Sequence, residues 1–337
     1  MKSQMPWMTT ELIQAQKLKE SGKTLRQIAE ALGRSRKSVE HKLSNPDYTP
    51  KLKHDVKLGA PDFGYLPLRS IDGSEWIRFG LVSDTHLACV QCRLDSLHAQ
   101  YDLFKAEGID TVLHAGNIVD GYVPRINGDS AIETSIDGQA QYVVDNYPQR
   151  SKITTHFITG NDHEGWWQKE GFNFGAYLQH VAELGGRNDL KYIGHVEADV
   201  EVQIKGAKRS PIIKVQHPGC GSAYARSYTG QKQVEAFQGG EKPAILVQGH
   251  YHVSNYMVDR NVHVIGMPGF QDQTIFARTK RLRMEIGGAI LEFKVNPYDG
   301  SVTRCRLEFN LFFDRGYYKP YLRSDAKLVK GHLIIKK

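Results

Sequence analysis

The apolar run Phe79-Gly80-Leu81-Val82-Ser83 is followed at once by Asp84-Thr85-His86, so a short strand ends in two side chains of the kind that bind metals. The same pattern recurs at residues 244–248 (AILVQ), which are followed by Gly249-His250-Tyr251-His252. Because side chains alternate across a strand, two such residues one position apart at its end can be held in the same loop. Carboxylate and imidazole are ligands of first-row transition metals. The two pairs together predict a metal site at the ends of strands.

Between these two pairs, further polar residues follow apolar runs. Gly116-Asn117-Ile118-Val119-Asp120, Gly160-Asn161-Asp162-His163-Glu164 and the single His217 each come directly after a predicted strand. The carboxyl ends of strands in an open α/β sheet converge on one crevice, so these loops can meet in space. The candidate site residues are therefore Asp84, His86, Asn117, Asp120, Asn161, Asp162, His163, His217, His250 and His252.

The order of these motifs resembles the calcineurin-like metallophosphoesterase superfamily, whose pattern is D-x-H, G-D-x-x-D, G-N-H-D/E, a single His, then G-H-x-H. The resemblance covers roughly residues 77–270 and is specific as an ordered set. The variant Asn161-Asp162-His163-Glu164-Gly165-Trp166 is most similar to phage and prophage members. The resemblance implies a layered α/β fold, a β-sandwich with flanking helices.

The resemblance also implies a centre of two divalent metal ions, with manganese favoured and iron, zinc, magnesium or nickel as alternatives. Two metals about 3.5–4 Å apart lower the pKa of a shared water and hold a phosphoryl group for in-line attack. The implied reaction is therefore the hydrolysis of a phosphoric ester.

The same resemblance gives each residue an expected role. Asp84, His86 and His252 would hold one metal. His217 and His250, with Asn161 or Asp162, would hold the other, and residue 117 would bridge the two. His163 would protonate the leaving oxygen or stabilise its charge, and Asp120 would orient His163.

The chain departs from the family pattern at two points. The bridging aspartate of the second motif is here Asn117, whose amide offers one good oxygen and no negative charge. We therefore expect a weakened centre, with one metal loosely held or with little activity. The third motif carries one residue too many, so that either Asn161 is the ligand or residues 162–164 stand for the family's Asn-His-Asp/Glu. We favour the second alignment, which makes Asp162 the ligand.

The first 45 residues predict a separate helical module. Ala15 and Leu18 belong to an apolar stripe, and Thr24-Leu25-Arg26-Gln27 reads as a capping box that opens a second helix. Gly33 supplies a tight turn before a third helix. This segment resembles the three-helix, helix-turn-helix modules of resolvases and sigma factors over about residues 9–44, which implies DNA binding. Three-helix units also bind proteins. The predicted DNA-binding residues are Arg34, Arg36, Lys37, His41 and Lys42.

Composition changes along the rest of the chain. Residues 46–75 are punctuated by proline and glycine and predict a linker. Residues 76–337 alternate apolar runs with amphipathic stretches, which predicts an α/β layered domain that ends in a β-hairpin. Strands are predicted at residues 77–83, 110–115, 153–159, 211–216, 244–248 and 262–266, helices at 92–107, 130–146, 168–184 and 229–239, and the hairpin strands at 290–295 and 303–313.

The overall composition excludes some classes of protein. No run approaches the roughly 20 apolar residues of a membrane span, and the polar N-terminus does not resemble a signal peptide. Four cysteines without an export signal do not predict a disulfide framework, and Cys89-Val90-Gln91-Cys92 alone is short of the four ligands of a structural zinc site. We expect a protein of the cytoplasm, of the host cell if a phage encodes it.

Charge points to the partner. Of the net charge of +7, residues 1–60 carry a surplus of six, with 12 Lys and Arg against 6 Asp and Glu. A basic segment on a near-neutral body predicts an anionic partner, nucleic acid first. Helix-turn-helix proteins often pair, which leaves a homodimer open.

Three functions fit the sequence. The first is a DNA nuclease or phosphodiesterase that the N-terminal module recruits to DNA. The second is a DNA-binding regulator or accessory protein whose phosphoesterase fold is catalytically weak, and Asn117 supports it. The third is a phosphatase for nucleotides or other small esters, in which the N-terminal helices bind protein.

Overall fold

A computed structural model describes residues 9–44, 64–71, 76–219, 221, 223–313, 326–329 and 332–335. The chain divides into two compact units, Met1–Leu58 and Gly59–Lys337. The predicted linker differs from this picture at residues 64–71, which form a strand of the second unit. The remainder of that linker, residues 46–63 and 72–75, lies outside the described residues.

The first unit contains three helices in its described part, α1 (Thr9–Glu20), α2 (Leu25–Leu32) and α3 (Arg36–Leu43). The predicted capping box is present, because the Thr24 amide donates to Gln27 Oε1 (2.9 Å) and the Gln27 amide donates to Thr24 Oγ1 (3.4 Å). Helix α2 ends at Gly33, whose φ of 62° is a left-handed conformation that glycine adopts at little cost. The small core contains Ala15, Ile28, Ala29, Leu32 and Val39.

The second unit combines two six-stranded sheets with helices. Its strands are β1 (Gly64–Ile71), β2 (Ile77–Val82), β3 (Thr111–Ala115), β4 (Thr154–Thr159), β5 (Leu190–His195), β6 (Glu197–Ile204), β7 (Ile212–Gln216), β8 (Ile245–Gln248), β9 (Asn255–Asp259), β10 (Val262–Gly266), β11 (Gly287–Val295) and β12 (Val302–Leu311), with a separate antiparallel pair β13 (Ala326–Val329) and β14 (His332–Ile335). Its helices are α4 (Leu94–Ala106), α5 (Pro124–Asn127), α6 (Ile136–Asn146), α7 (Glu164–Lys169), α8 (Phe174–Leu184), α9 (Tyr228–Ala236) and α10 (Ile275–Thr279).

The first sheet has the order β12-β11-β2-β3-β4-β5, and the second has the order β1-β6-β7-β8-β10-β9. Strands β2 to β5 run parallel, as do β7, β8 and β10. Strands β11 and β12 form the predicted hairpin beside β2. The loops that carry the predicted site residues therefore follow parallel strands in the middle of both sheets.

The side chains on the two faces of the first sheet belong to two separate hydrophobic cores. Leu81, Leu113 and Ile158 pack toward the second sheet, in a cluster that includes Val215 and Val247. Their chain neighbours, such as Val82 and Phe157, pack on the other face against residues of α4, α6 and α8. Helix α9 covers part of the outer face of the second sheet. These layers confirm the predicted α/β sandwich with flanking helices and a small helical N-terminal region.

The observed elements agree with the predicted ones where apolar runs were long. The strands that were not predicted are β1, β5, β6, β9, β13 and β14. The first unit and the second each form their own core. No helix among the described residues has the length and apolarity needed to cross a membrane.

Candidate metal centre

The ends of five parallel strands deliver the predicted site residues. Asp84 and His86 follow β2, Asn117 and Asp120 follow β3, and residues 161–163 follow β4, all in the first sheet. His217 follows β7, and His250 and His252 follow β8, both in the second sheet. Backbone hydrogen bonds tie neighbouring loops together, such as those from the Asp84 amide to the Gly116 carbonyl (2.9 Å) and from the Gly249 amide to the Gln216 carbonyl (3.0 Å).

The backbone of these loops is unusually constrained. The residues Asp84, His86, Asn117, His163, His250 and His252 all have positive φ, between 45° and 76°. Non-glycine residues rarely adopt this left-handed region, although Asn, Asp and His do so more often than others. Strain of this kind persists only where the surrounding structure enforces it, and it concentrates at functional sites.

Asp84, His86 and His252 form the first cluster, in which one ligand atom from each residue lies within 4.8 Å of the others. Asp84 Oδ1 is 3.3 Å from His252 Nε2 and 3.9 Å from His86 Nε2. The other oxygen, Oδ2, accepts from Ser83 Oγ (2.5 Å) and from the His250 amide (2.9 Å). Those bonds fix the carboxylate so that Oδ1 faces three imidazoles, those of His86 and His252 and also that of His217, whose Nε2 is 3.9 Å away.

Asp162, His217 and His250 form the second cluster, under the same 4.8 Å limit. Asp162 Oδ1 is 3.3 Å from His217 Nε2, and Oδ2 is 3.4 Å from His250 Nδ1. His217 Nδ1 donates to the carbonyl of Ala115 (2.8 Å), which turns Nε2 toward the carboxylates. Burial opposes the charged form of His217, but Asp84 and Asp162 outweigh it and raise its pKa to about 9.

Electrostatics in the first cluster differ from those in the second. Burial and the neighbouring His163 lower the pKa of His86 to about 4, so this imidazole is neutral at pH 7. Burial alone would raise the pKa of Asp84, yet His252 and His217 hold it well below its ordinary value. A neutral imidazole beside a carboxylate is the form in which both bind a cation.

Unsatisfied buried atoms provide the test of whether metals fit here. Buried polar atoms almost always have a hydrogen-bond partner, so a group of them without one calls for an explanation. Among the described residues, the buried side-chain atoms that lack a hydrogen-bond partner include Asp84 Oδ1, His86 Nε2, Asn117 Oδ1, Asn161 Oδ1, Asp162 Oδ1 and His217 Nε2. Each oxygen has a lone pair, as does each Nε2 once the imidazole is neutral, and oxygen with imidazole nitrogen is a donor set for divalent first-row metals. The residues present therefore fit divalent metal ions.

Asn117 is next to residues of both clusters, because its backbone carbonyl accepts from the His86 amide (3.0 Å) and its side chain lies near His217. A Cβ on Gly160 would overlap its Oδ1 and would come within 3.0 Å of His217 Cδ2, so the amide oxygen and the His217 ring flank the same point. Gly160 is therefore required for the close approach. Asn117 is 1% exposed and its amide oxygen lies near the His217 ring, while its role as a bridge between two metals stays a prediction.

Asp120 has a different partner from the one predicted. Its carboxylate accepts from His86 Nδ1 (3.0 Å), whereas its backbone carbonyl accepts from His163 Nδ1 (2.7 Å). The His163 ring is farther from the carboxylate, at 3.4 Å from Oδ1. The side chain of Asp120 thus orients the ligand His86, and its main chain orients His163. The prediction had the side chain orienting His163.

His163 is half-buried and lies beside the first cluster, with a ligand atom within 4.8 Å of those of His86 and Asp120. Its ring contacts that of His86 edge-on, with the centroids 4.4 Å apart. It stacks on Trp166 with a centroid distance of 4.9 Å and an angle of 30°. Burial lowers the pKa of His163, but Asp162 and Asp120 outweigh it and raise that pKa above its ordinary value.

Three supporting residues had no predicted role. Gln271 Nε2 donates to Asp120 Oδ1 (3.0 Å), and Asn127 Nδ2 donates to Asp120 Oδ2 (2.9 Å). Glu164 is completely buried, and its Oε1 accepts from the Gly160 amide (2.9 Å) and the Ile118 amide (3.2 Å). Burial raises the pKa of Glu164 to about 7. Glu164 is part of the third sequence motif, which could have identified it. Gln271 and Asn127 belong to no motif of the sequence.

Asn161 takes a separate place from Asp162. A Cβ on Gly219 would overlap Asn161 Nδ2, so this amide packs against Gly219. Asp162 reaches both His217 and His250, so these three residues could hold a metal ion, while the choice of Asp162 as the ligand stays a prediction. Asn161 Oδ1 is nevertheless a buried oxygen without a partner among the described residues.

The predicted DNA-binding residues belong to the first unit. Arg36 and Lys37, at the start of α3, are exposed. Arg34, which the sequence also predicts as a DNA-binding residue, is buried, with 8% exposed. The side chains of His41 and Lys42 lie outside the described residues.

The pair Cys89 and Cys92 does not form a reactive site. Both are buried, with 1% and 5% exposed. Burial raises the pKa of Cys89 to about 12 and the pKa of Cys92 well above its ordinary value. Thiols of this kind are inert because the thiolate is the reactive form.

Several solved structures are similar to this chain. Solved structures with a similar fold include an archaeal phosphodiesterase (13% identity, TM-score 0.38, covering 69% of this chain and 100% of that one) and YfcE, a phosphoesterase from E. coli (14%, 0.35, 68% and 98%). Another is vacuolar protein sorting 29 from Cryptosporidium parvum (11%, 0.35, 71% and 99%). Identities and TM-scores at this level say nothing about substrate. No curated protein is significantly similar in sequence.

The sequence model of the calcineurin-like phosphoesterase family matches residues 77–254, more than half of the chain. That range contains every residue of the two metal clusters. Its layered α/β fold has six-stranded sheets whose central parallel strands carry the ligands. The chain thus belongs to the calcineurin-like phosphoesterase family and is a hydrolase of phosphoric esters that uses divalent metal ions.

Proposed function

We propose that this protein is a phosphodiesterase that cleaves DNA and that its N-terminal helices, residues 9–44, bring it to the substrate by binding DNA. The observation that carries the proposal is that one chain joins a metal centre to a separate basic unit. Residues 1–60 hold six of the seven net positive charges, and Arg36 and Lys37 are exposed on α3. A cationic unit of this kind supplies affinity for phosphates and depends strongly on salt.

The residues of the centre divide the chemistry among them. The first cluster would hold one metal and the second cluster the other; when bound, the metals activate water and polarise the phosphoryl group. His163 Nδ1 donates a hydrogen bond to the backbone carbonyl of Asp120 (2.7 Å). Nε2 is therefore the nitrogen that can hold a proton at the leaving oxygen. A raised pKa favours the protonated His163 that this step requires.

A second basic segment supports a nucleic-acid substrate. Gln271 bonds to Asp120 and so marks the wall of the site, and the chain continues from it into α10. Arg278, Lys280, Arg281 and Arg283 in and after α10 are all exposed. Exposed cations on the segment that follows Gln271 are suited to a phosphate backbone that extends beyond the scissile bond.

Substrate choice can be tested on the full chain. We expect hydrolysis, with manganese added, of single- or double-stranded linear DNA and of a bis-aryl phosphodiester, with little hydrolysis of a mono-aryl phosphate. The variant His163→Ala should lose most of this activity, because general acid catalysis contributes typically about 10²–10⁴-fold. Hydrolysis of the monoester alone would instead indicate a phosphatase for small esters.

Recruitment needs its own test. The double variant Arg36→Ala/Lys37→Ala should bind DNA more weakly and show a shallower dependence of affinity on salt. Lys17→Ala/Lys19→Ala is the matched control, because it removes the same charge from exposed positions on α1. Equal effects of the two double variants would mean that α3 is not the recognition helix. A homodimer and a phage origin stay predictions.

One observation favours a second candidate, a DNA-binding regulator with a weak catalytic centre. Asn117 places a neutral amide at a buried position beside the second cluster, where the family has a carboxylate. If DNA is bound but not cleaved at any metal concentration, and His163→Ala changes nothing, the regulator is the better description.

A further inference from the structure

Asn117 and Asp162 are best considered together, because the chain has an amide where the family pattern has an acid and an acid where it has an amide. We propose that Asp162 replaces the negative charge that Asn117 lacks, so that each of two metal ions has its own carboxylate and binds largely independently of the other. This inference rests on the metal centre and does not depend on DNA as the substrate.

The first step in the argument is the composition of the two clusters. Asp84 with His86 and His252 makes one set, and Asp162 with His217 and His250 makes the other. Each set holds one carboxylate and two imidazoles, so each would present the same charge to a cation. In the family pattern the acids are at positions 84 and 117, which leaves the second set with the neutral amide of the third motif.

The second step is the position of the Asp162 carboxylate. Both of its oxygens face imidazoles, with Oδ1 3.3 Å from His217 Nε2 and Oδ2 3.4 Å from His250 Nδ1. Oδ1 is buried and has no hydrogen-bond partner among the described residues. The additional residue in the third motif makes this reach possible, because Asn161 packs against Gly219 while Asp162 turns toward the centre.

The third step concerns Asn117. Its Oδ1 is also a buried oxygen without a partner, and it lies beside the same His217 ring that Asp162 contacts. The amide therefore still offers a neutral oxygen beside the second cluster. A shared carboxylate links the occupancy of two cations because it neutralises part of their repulsion, whereas separate carboxylates allow each cation to bind by itself.

The test is a cycle of variants measured for manganese content and affinity, by elemental analysis and titration calorimetry on the full chain. We expect two manganese ions per wild-type chain. Asp162→Asn should hold one, or bind the second at least about tenfold more weakly, because even the loss of an outer partner of a metal ligand costs about 10–100-fold. Asn117→Asp alone should gain little, which is the opposite of the expectation from the sequence.

The decisive variant of the cycle is the double variant Asn117→Asp/Asp162→Asn, which restores the family pattern and should again bind the second manganese ion. Asn161→Ala should keep two ions. Circular dichroism in chelator tells a loss of binding from a loss of fold. The proposal is overturned if Asp162→Asn keeps two ions at unchanged affinity, if the double variant is as defective as Asp162→Asn, or if Asn161→Ala is the change that removes the second ion.

Discussion

Replacement of Asp120 by asparagine tests the centre most directly, because three buried donors converge on that carboxylate. His86 Nδ1 and Gln271 Nε2 bond to Oδ1, and Asn127 Nδ2 bonds to Oδ2. Asparagine has the same shape, but its NH₂ group is a donor. Whichever way the amide is turned, the NH₂ group faces at least one of these donors.

The expected magnitude follows from that count. One buried donor without an acceptor costs about 1–3 kcal/mol. For a domain of this size each kcal/mol lowers Tm by roughly 2–4 °C, so Asp120→Asn should lower the Tm of the metal-free protein by about 2–12 °C. The weaker hold on His86 should also reduce metal affinity by about 10–100-fold, since partners of this kind set the tautomer and orientation of a ligand.

Differential scanning calorimetry in chelator and manganese titration measure the two effects separately. Asp137→Asn is the matched control, because Asp137 is exposed and its carboxylate accepts from the Tyr177 hydroxyl (2.7 Å) rather than from a metal ligand. Unchanged metal affinity in Asp120→Asn would refute the argument that Asp120 holds His86 for binding. A fall in Tm without a fall in affinity would assign Asp120 a purely structural role.

Three other predictions concern the same region. Gly269→Ala should weaken metal binding by pushing the His252 ring, because the added Cβ would lie 2.6 Å from His252 Nδ1, whereas Gly240→Ala, with open space around it, should not; equal affinities in titration would count against this. Cys89 and Cys92 should not react with a disulfide reagent at pH 8 until the protein unfolds, because their raised pKa keeps them as thiols. Mass spectrometry locates the label, and rapid labelling of either residue in the folded protein would contradict this prediction. Chelation should lower Tm and added manganese should raise it in proportion to RT ln(1 + [L]/Kd), and a Tm that is independent of metal would show that the clusters bind none.

The sequence was most informative where apolar runs ended in ligand-type residues. Asp84, His217 and His252 could be placed because the carboxyl ends of parallel strands meet. Strand β6 (Glu197–Ile204) has a clear alternation of buried and less buried residues that periodicity could have found. Strand β1 was predicted as linker because Pro67 and nearby glycines resemble a break in structure.

The remaining features depended on contacts between distant residues. The Asp120 carboxylate is 3.0 Å from His86 Nδ1 and 3.4 Å from His163 Nδ1. A difference this small depends on how the loops fold. Gln271 reaches Asp120 across a separation of 151 positions, which no local pattern reveals. Burial of Arg34 likewise depends on how the three N-terminal helices pack, and a basic run in the sequence looks the same in either case.

Both metal clusters take ligands from both sheets. Asp84 and His86 extend from the first sheet and His252 from the second, while Asp162 extends from the first and His217 and His250 from the second. A bound ion would therefore act as a cross-link between the two sheets at the carboxyl ends of their parallel strands. Like a disulfide, it would join residues that are far apart in the sequence. Without metal, the amides at the ends of β2 and β8 should exchange with solvent sooner, while the β11–β12 hairpin at the sheet edge keeps its protection. Metal release would then loosen the sandwich from one end only.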